Sequence, residues 1–158
     1  MFVAYVAKWL RTKWATITNI GTVVPGDLHY GRKVGATAPY GRFTITTAKV
    51  EHVSDGLRHV DYTILLEIYA ENPTEADSLA IDNILDSQST TTSSLLAVLV
   101  AAAGTAISSG AGTPGGTLNY AWRSTPPSES LQTDEERRSL KDVNVTKWAA
   151  KVRIQWPA

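Results

Sequence analysis

The chain has 158 residues, fifteen basic and fifteen acidic side chains, a formal net charge of zero and no cysteine. That length suits one domain with a real core and is short for two. Neutrality removes the long-range attraction that drives binding to nucleic acid or acidic membranes. Without cysteine there are no disulfides, thiolate metal sites or cysteine nucleophiles, and the composition is compatible with a reducing cytoplasm.

The start, residues 1–7, has no positive region before its short apolar stretch, and Lys8, Arg11 and Lys13 follow it, the wrong order for a secretory signal. It is read as mature protein. Val3, Val6, Leu10 and Trp14 recur at helical spacing, so residues 2–15 are expected to form an amphipathic helix that packs one stripe on its own sheet. Residues 18–41 carry Gly21, Pro25, Gly26, Gly31, Gly35, Pro39 and Gly41 with no apolar period. A connection that long inside a compact domain is usually a functional loop.

Two β-rich runs, 43–54 and 57–70, flank Asp55-Gly56, the strongest short hairpin signal, because both central residues of a type I′ turn need positive φ. A two-residue turn there makes opposing residue numbers sum to 111. Phe43 then faces Ile68, Ile45 faces Leu66 and Thr47 faces Ile64, with Thr44 opposite Glu67 on the other side. Farther out the apolar side is broken by Lys49 and Glu51, so the distal half is expected to leave the core as a projecting arm that lies on another subunit.

Asn72, Pro73 and Thr74 open a helix whose positive end is favoured by Glu75 and Asp77. Its inner stripe is drawn from Leu79, Ile81 or Asn83, Ile84 and Leu85. Residues 88–93 are a polar break, and a second helix is expected over 94–107, ended by the glycines of 110–116. Residues 87–122 contain no charge, yet the apolar part is too short to span a bilayer and has no basic anchors, so a buried helix is the expectation.

Leu118, Tyr120 and Trp122 alternate with polar or small residues to give a third strand, and Trp148, Ala150, Val152, Ile154 and Trp156 alternate in a fourth. Residues 125–142 read as a proline-broken, charged connection, with a capping-box spacing between Thr133 and Glu136. The fold class is therefore α+β: a four-stranded antiparallel sheet in a single domain spanning 1–158, helices on one face and a projecting β-hairpin arm. The other face carries Asp61, Glu67, Lys147, Lys151 and Arg153.

Catalytic chemistry finds no foothold. In the expected register His52 and His59 stand opposite each other, but no cysteine is available and no carboxylate is forced to join them, so an exposed polar pair is the reading. The glycine-rich 110–116 follows a helix, precedes a strand and lacks lysine, which is the wrong context for a phosphate loop. No nucleophile elbow or zinc-binding His-Glu-x-x-His occurs, and no cofactor, metal or enzyme activity is expected.

In the order of its pieces the chain resembles the tail terminator (tail completion) family of long-tailed bacteriophages. The resemblance runs through 6–10 as entry helix, Val23-Val24-Pro25-Gly26, Pro39-Tyr40 leading to Phe43, and Asp55-Gly56. It continues through 64–70, Thr74-Glu75-Ala76, and Asp134-Glu135-Glu136-Arg137-Arg138 before the closing strand to Trp156. The chain departs from the commoner pattern in its longer 110–116 linker and long first loop.

The resemblance implies a virion structural protein of the tail or neck, assembled in the host cytoplasm. It would form a hexameric ring that caps the tail tube and joins it to the head-side connector, with no catalytic residues, no membrane contact, no sequence-specific nucleic acid binding, and a lumen open to DNA. Subunit contacts are expected from the arm, at Lys49, Val50, Glu51, His52, Val53, Asp55, Gly56, Arg58 and His59. Contacts with tube and connector are expected from Asp27, His29, Arg32 and Lys33 in the first loop. They are expected also from Glu129, Asp134, Glu135, Glu136, Arg137 and Arg138 in the last. The alternatives are another head-tail connector or tube-like ring component, or a non-viral small-ligand-binding α+β module.

Overall fold

The structure, a computed structural model, describes residues 2–17, 25–31, 38–54, 56–86, 94–108, 111–133 and 142–157. In chain order it contains α1 (Val3–Ala15), β1 (Leu28–Tyr30), β2 (Tyr40–Ser54), β3 (Leu57–Glu71), α2 (Glu75–Asp86), α3 (Leu95–Ala101), β4 (Thr117–Thr133) and β5 (Asp142–Pro157). The class is α+β as expected, but the sheet has five strands, in the order β1-β2-β3-β5-β4. The added strand is β1, which runs parallel to β2 over Leu28↔Gly41 to Tyr30↔Phe43. Three residues inside a glycine- and proline-rich stretch carry no alternation long enough to read.

β1 lies close on its neighbour. A Cβ on Gly41 would stand 2.6 Å from Leu28 Cδ2, so glycine at 41 is what lets the fully buried Leu28 press onto the sheet. Trp14 ties the same loop to α1 by donating its indole N–H to the Pro25 carbonyl at 3.1 Å.

The centre of the sheet is the β3·β5 pair, unbroken from Leu57↔Pro157 to Glu71↔Val143. Its even-numbered side chains face the helices: Val60, Tyr62, Ile64, Leu66 and Ile68 from β3, and Trp148, Ala150, Val152, Ile154 and Trp156 from β5, all essentially buried. The alternation read in the last strand is thus the core alternation, and both tryptophans are inside.

The hairpin register differs from expectation. Phe43 pairs Leu66, Ile45 pairs Ile64 and Thr47 pairs Tyr62, two residues away from the expected partners. The register shifts once between Thr47 and Lys49 and once between His52 and Ser54, leaving Ala48 and Val53 as the extra residues. Each bulge displaces the pairing by one, so only the last rung, Ser54↔Leu57, keeps the sum that the turn imposes. Two shifts of one restore the parity of faces, which is why Phe43 and Ile45 are still inside.

The arm does not project. Its β3 limb, from Leu57 to Tyr62, is paired along its other edge with β5, and Val60 and Tyr62 are fully buried. The sequence pattern of the hairpin alone could not reveal that a third strand covers this limb. Of the hairpin, it is the β2 limb beyond Phe43 that lies at the margin of the sheet among the described residues.

On the helix side, α1 buries Val6, Ala7, Trp9, Leu10 and Trp14. At the start of α2, Thr74 Oγ1 accepts from the Asp77 N–H at 3.2 Å while Asp77 accepts from the Thr74 N–H at 2.9 Å, a reciprocal cap. Ile81, Ile84 and Leu85 face inward, but Leu79 is exposed, two positions off the stripe that the core selects. α3, capped by Ser94 accepting from Ala97 N–H, is shorter than expected. After Gly104, at φ 83°, the chain turns extended and bonds along β4: Ile107 N–H donates to the Gly116 carbonyl and Leu118 N–H to that of Thr105.

Of the residues expected to form the 125–142 connection, those described are strand, since β4 runs to Thr133 and β5 begins at Asp142. The suggested helical turn beyond Thr133 lies outside the described residues.

Replacing Trp148 by Ala should lower stability by about 3 to 5 kcal/mol, read as a fall in the urea midpoint. Gly116→Ala should also destabilise, by about 1 to 3 kcal/mol, because its Cβ would sit 2.3 Å from the buried ring of Trp156. Unchanged midpoints would place these side chains on the wrong face.

Candidate interaction surface

The open face of the sheet is organised by the odd-numbered side chains of β3 and β5. Asp61 and Arg153 are directly opposite, and Arg153 donates Nε–H to Asp61 Oδ1 at 2.6 Å and Nη2–H to Oδ2 at 2.9 Å, a two-pronged pair. Glu51 lies 3.7 Å from the same guanidinium and pairs with Lys49, so two of the predicted arm residues join this cluster. The Arg153 guanidinium also sits 5.5 Å from the ring centre of Tyr120, which leans on Trp122 with centroids 5.0 Å apart.

Those aromatics arrive by a device that alternation does not encode. A register shift between Leu118 and Tyr120 sends Leu118 into the core and turns Tyr120 and Trp122, opposite Arg153 and Lys151, to the open face. The expectation that all three share one face fails at that bulge.

A second cluster occupies the same face nearer the other end. Arg42 donates Nε–H to Glu67 Oε2 at 2.8 Å, Tyr69 hydroxyl donates to the same oxygen, and Tyr69 stacks on Tyr40 with centroids 4.4 Å apart. Burial raises the Glu67 carboxyl, but the bonds from Tyr69 and Arg42 outweigh it and hold the group below its usual range. Burial, together with its bond to the Glu67 carboxylate, raises Tyr69. Arg42, Tyr69 and Tyr120 were not among the contact residues expected from sequence; the placing of Asp61, Glu67, Lys147, Lys151 and Arg153 on one face was the available signal.

The predicted contact residues divide. Val50 and Val53 are 41% and 55% exposed, and Lys49, His52 and Gly56 are exposed too. His52 pairs Arg58 whereas His59 pairs Glu51, so the two histidines are on opposite faces and cannot share a metal. His59 instead contacts Gln155 and Asn119, each at 3.2 Å. Arg58 is half-buried opposite Trp156. Asp27 accepts from Arg11 at 2.6 Å, His29 is half-buried in β1, and Glu129 accepts from Ser78 of α2 at 3.0 Å. Glu129 and Asp27 are thus engaged within the subunit. Arg32, Lys33, Asp55, Asp134, Glu135, Glu136, Arg137 and Arg138 lie outside the described residues.

Among the described residues, no three of His, Cys, Asp and Glu come together so as to hold a metal, and no helix is long and apolar enough to cross a membrane. The outer edge of β2 from Thr44 to Ser54 has no strand partner among them either. Comparison of the chain with family models and with curated proteins returns no match.

The Arg153 guanidinium depresses the Asp61 carboxyl, with burial opposing it. A carboxyl depressed on folding contributes stability that is complete above its unfolded pKa, near 4, and is lost as pH falls through the lower folded value. Asp61→Asn should therefore be less stable than the parent at neutral pH, with the gap in urea midpoints narrowing toward about pH 3. A gap independent of pH would show that the pair contributes through shape alone.

Proposed function

We propose that this protein is a structural subunit of a bacteriophage tail, a tail terminator whose copies close into a ring, six by family resemblance. In this reading the ring caps the tail tube, meets the head-side connector and performs no catalysis. The observation that carries it is the bare edge of β2, eleven residues from Thr44 to Ser54 with no partner strand among the described residues. Unpaired backbone along a strand with exposed Val50 and Val53 is a template for pairing with another chain. A contact between unlike surfaces closes into a ring when the rotation per subunit allows.

The β2 limb, rather than the whole hairpin, is the part available to a neighbour. Removing the hairpin would strip β5 of one of its two partners and open the core at Val60 and Tyr62, so point changes at the edge are the appropriate test. The purified protein should sediment as a closed oligomer and show a central channel in particle images. The double variant Val50→Lys, Val53→Lys should sediment as a folded monomer, since charge on an edge strand blocks its pairing. An intact protein that stays monomeric at high concentration and beside tail tubes would sink the reading, and unlimited growth into tubes would point to a tube-like component.

A further inference from the structure

A groove of about 310 Å³ runs between α1 and the extended chain after α3, lined by Tyr5, Lys8, Trp9, Thr12 and Lys13 on one side and by 106–108 with Thr113 on the other. On a helix of 3.6 residues per turn, Tyr5, Trp9 and Thr12 form one stripe, and Lys8 and Lys13 fall on its two borders. The groove therefore has an aromatic floor between two cationic rims. No carboxylate lines it among the described residues, and neither lysine has an ion-pair partner among them.

Two of the remaining polar groups, the Trp9 indole and the Ser108 hydroxyl, have a hydrogen to donate. Trp9 is 5% exposed and its Nε1–H has no acceptor among the described residues. Ser108 Oγ accepts from the Gly115 N–H at 3.3 Å, which leaves its own hydrogen to give. Thr12 spends its hydrogen on the Lys8 carbonyl at 3.0 Å. The volume stands at the low end of ligand clefts and suits one or two residues of a peptide.

We propose that this groove binds the carboxyl end of a partner protein. The terminal carboxylate would sit between Lys8 and Lys13, and the last side chain, apolar, would lie on Trp9 and Ile107. A chain terminus fits better than an acidic side chain because floor and rims are adjacent, and a terminal residue carries its charge and its apolar group on the same Cα. Two lysines in a neutral chain are too few to hold a nucleic-acid backbone. The inference does not rest on ring formation, since the groove lies within one subunit.

The test follows the Trp9 indole N–H in ¹H–¹⁵N spectra of the intact protein while acetyl-Ala-Leu with a free carboxylate is added at millimolar concentration. The expected result is a saturable shift, with the amide of the same dipeptide binding at least about tenfold more weakly. Lys8→Ala with Lys13→Ala should abolish the shift while leaving the melting temperature in place, and Ser108→Ala should weaken it. Equal binding of the amide would overturn the proposal by showing apolar capture alone. Equal binding of acetyl-Leu-Asp-amide would overturn the commitment to a chain end. A matching shift with inorganic phosphate, or no shift with any probe, would equally overturn it.

Discussion

The structure depends on one continuous ladder, the fifteen rungs by which β3 pairs β5 from Leu57↔Pro157 to Glu71↔Val143 without a shift. An unbroken register keeps the parity of side chains constant over the full length, so one face of both strands can be apolar throughout. Tyr62 and Trp156 show how tightly this face closes. The indole donates to the Tyr62 hydroxyl at 2.9 Å, and burial pushes that phenol up to about 12, with the Trp156 bond pulling the other way. The helices have a surface to pack on because this pair supplies it.

The flanking strands are irregular by contrast. β2 shifts register twice and β4 three times. Bulges bend and twist a strand locally and re-aim its side chains. In β4 one of them transfers Tyr120 and Trp122 from the core side to the open face, where they meet Arg153. In β2 the one at Val53 brings Lys49 opposite Asp61 and Glu51 within reach of Arg153, gathering four charged groups that a regular hairpin would have arranged otherwise.

The two margins also differ in how they are finished. The start of β4 is covered by residues 104–107, which bond back to Gly116 and Leu118, and its later course carries Pro126 and Pro127. β2 accepts three residues of β1 and then runs on without a partner among the described residues. Among the described residues the sheet is blunted on one side and bare on the other, a directional arrangement that the proposed contact between unlike surfaces requires. The groove beside α1 belongs to the helix layer, so the proposed assembly through the sheet edge and the proposed recognition through the groove would use different surfaces.

The sequence by itself determined the elements whose periodicity is long and unbroken: α1 from Val6, Leu10 and Trp14, the closing strand from Trp148 to Trp156, the Asp55-Gly56 hairpin, and the capped start of α2 at Thr74. It also carried the α+β class, because two hairpins and three helical stretches leave few other layerings. Tertiary structure alone decided the register of β2, the side on which Tyr120 and Trp122 emerge, the three-residue β1, and whether the hairpin stands free or is covered. Of the candidate surface, the Asp61 and Arg153 charges were legible and their company was not. The physical reason is common to all of these: a bulge or a third strand costs nothing in local pattern, being fixed by packing against chain distant in sequence, whereas a period of two or 3.6 is written in neighbours.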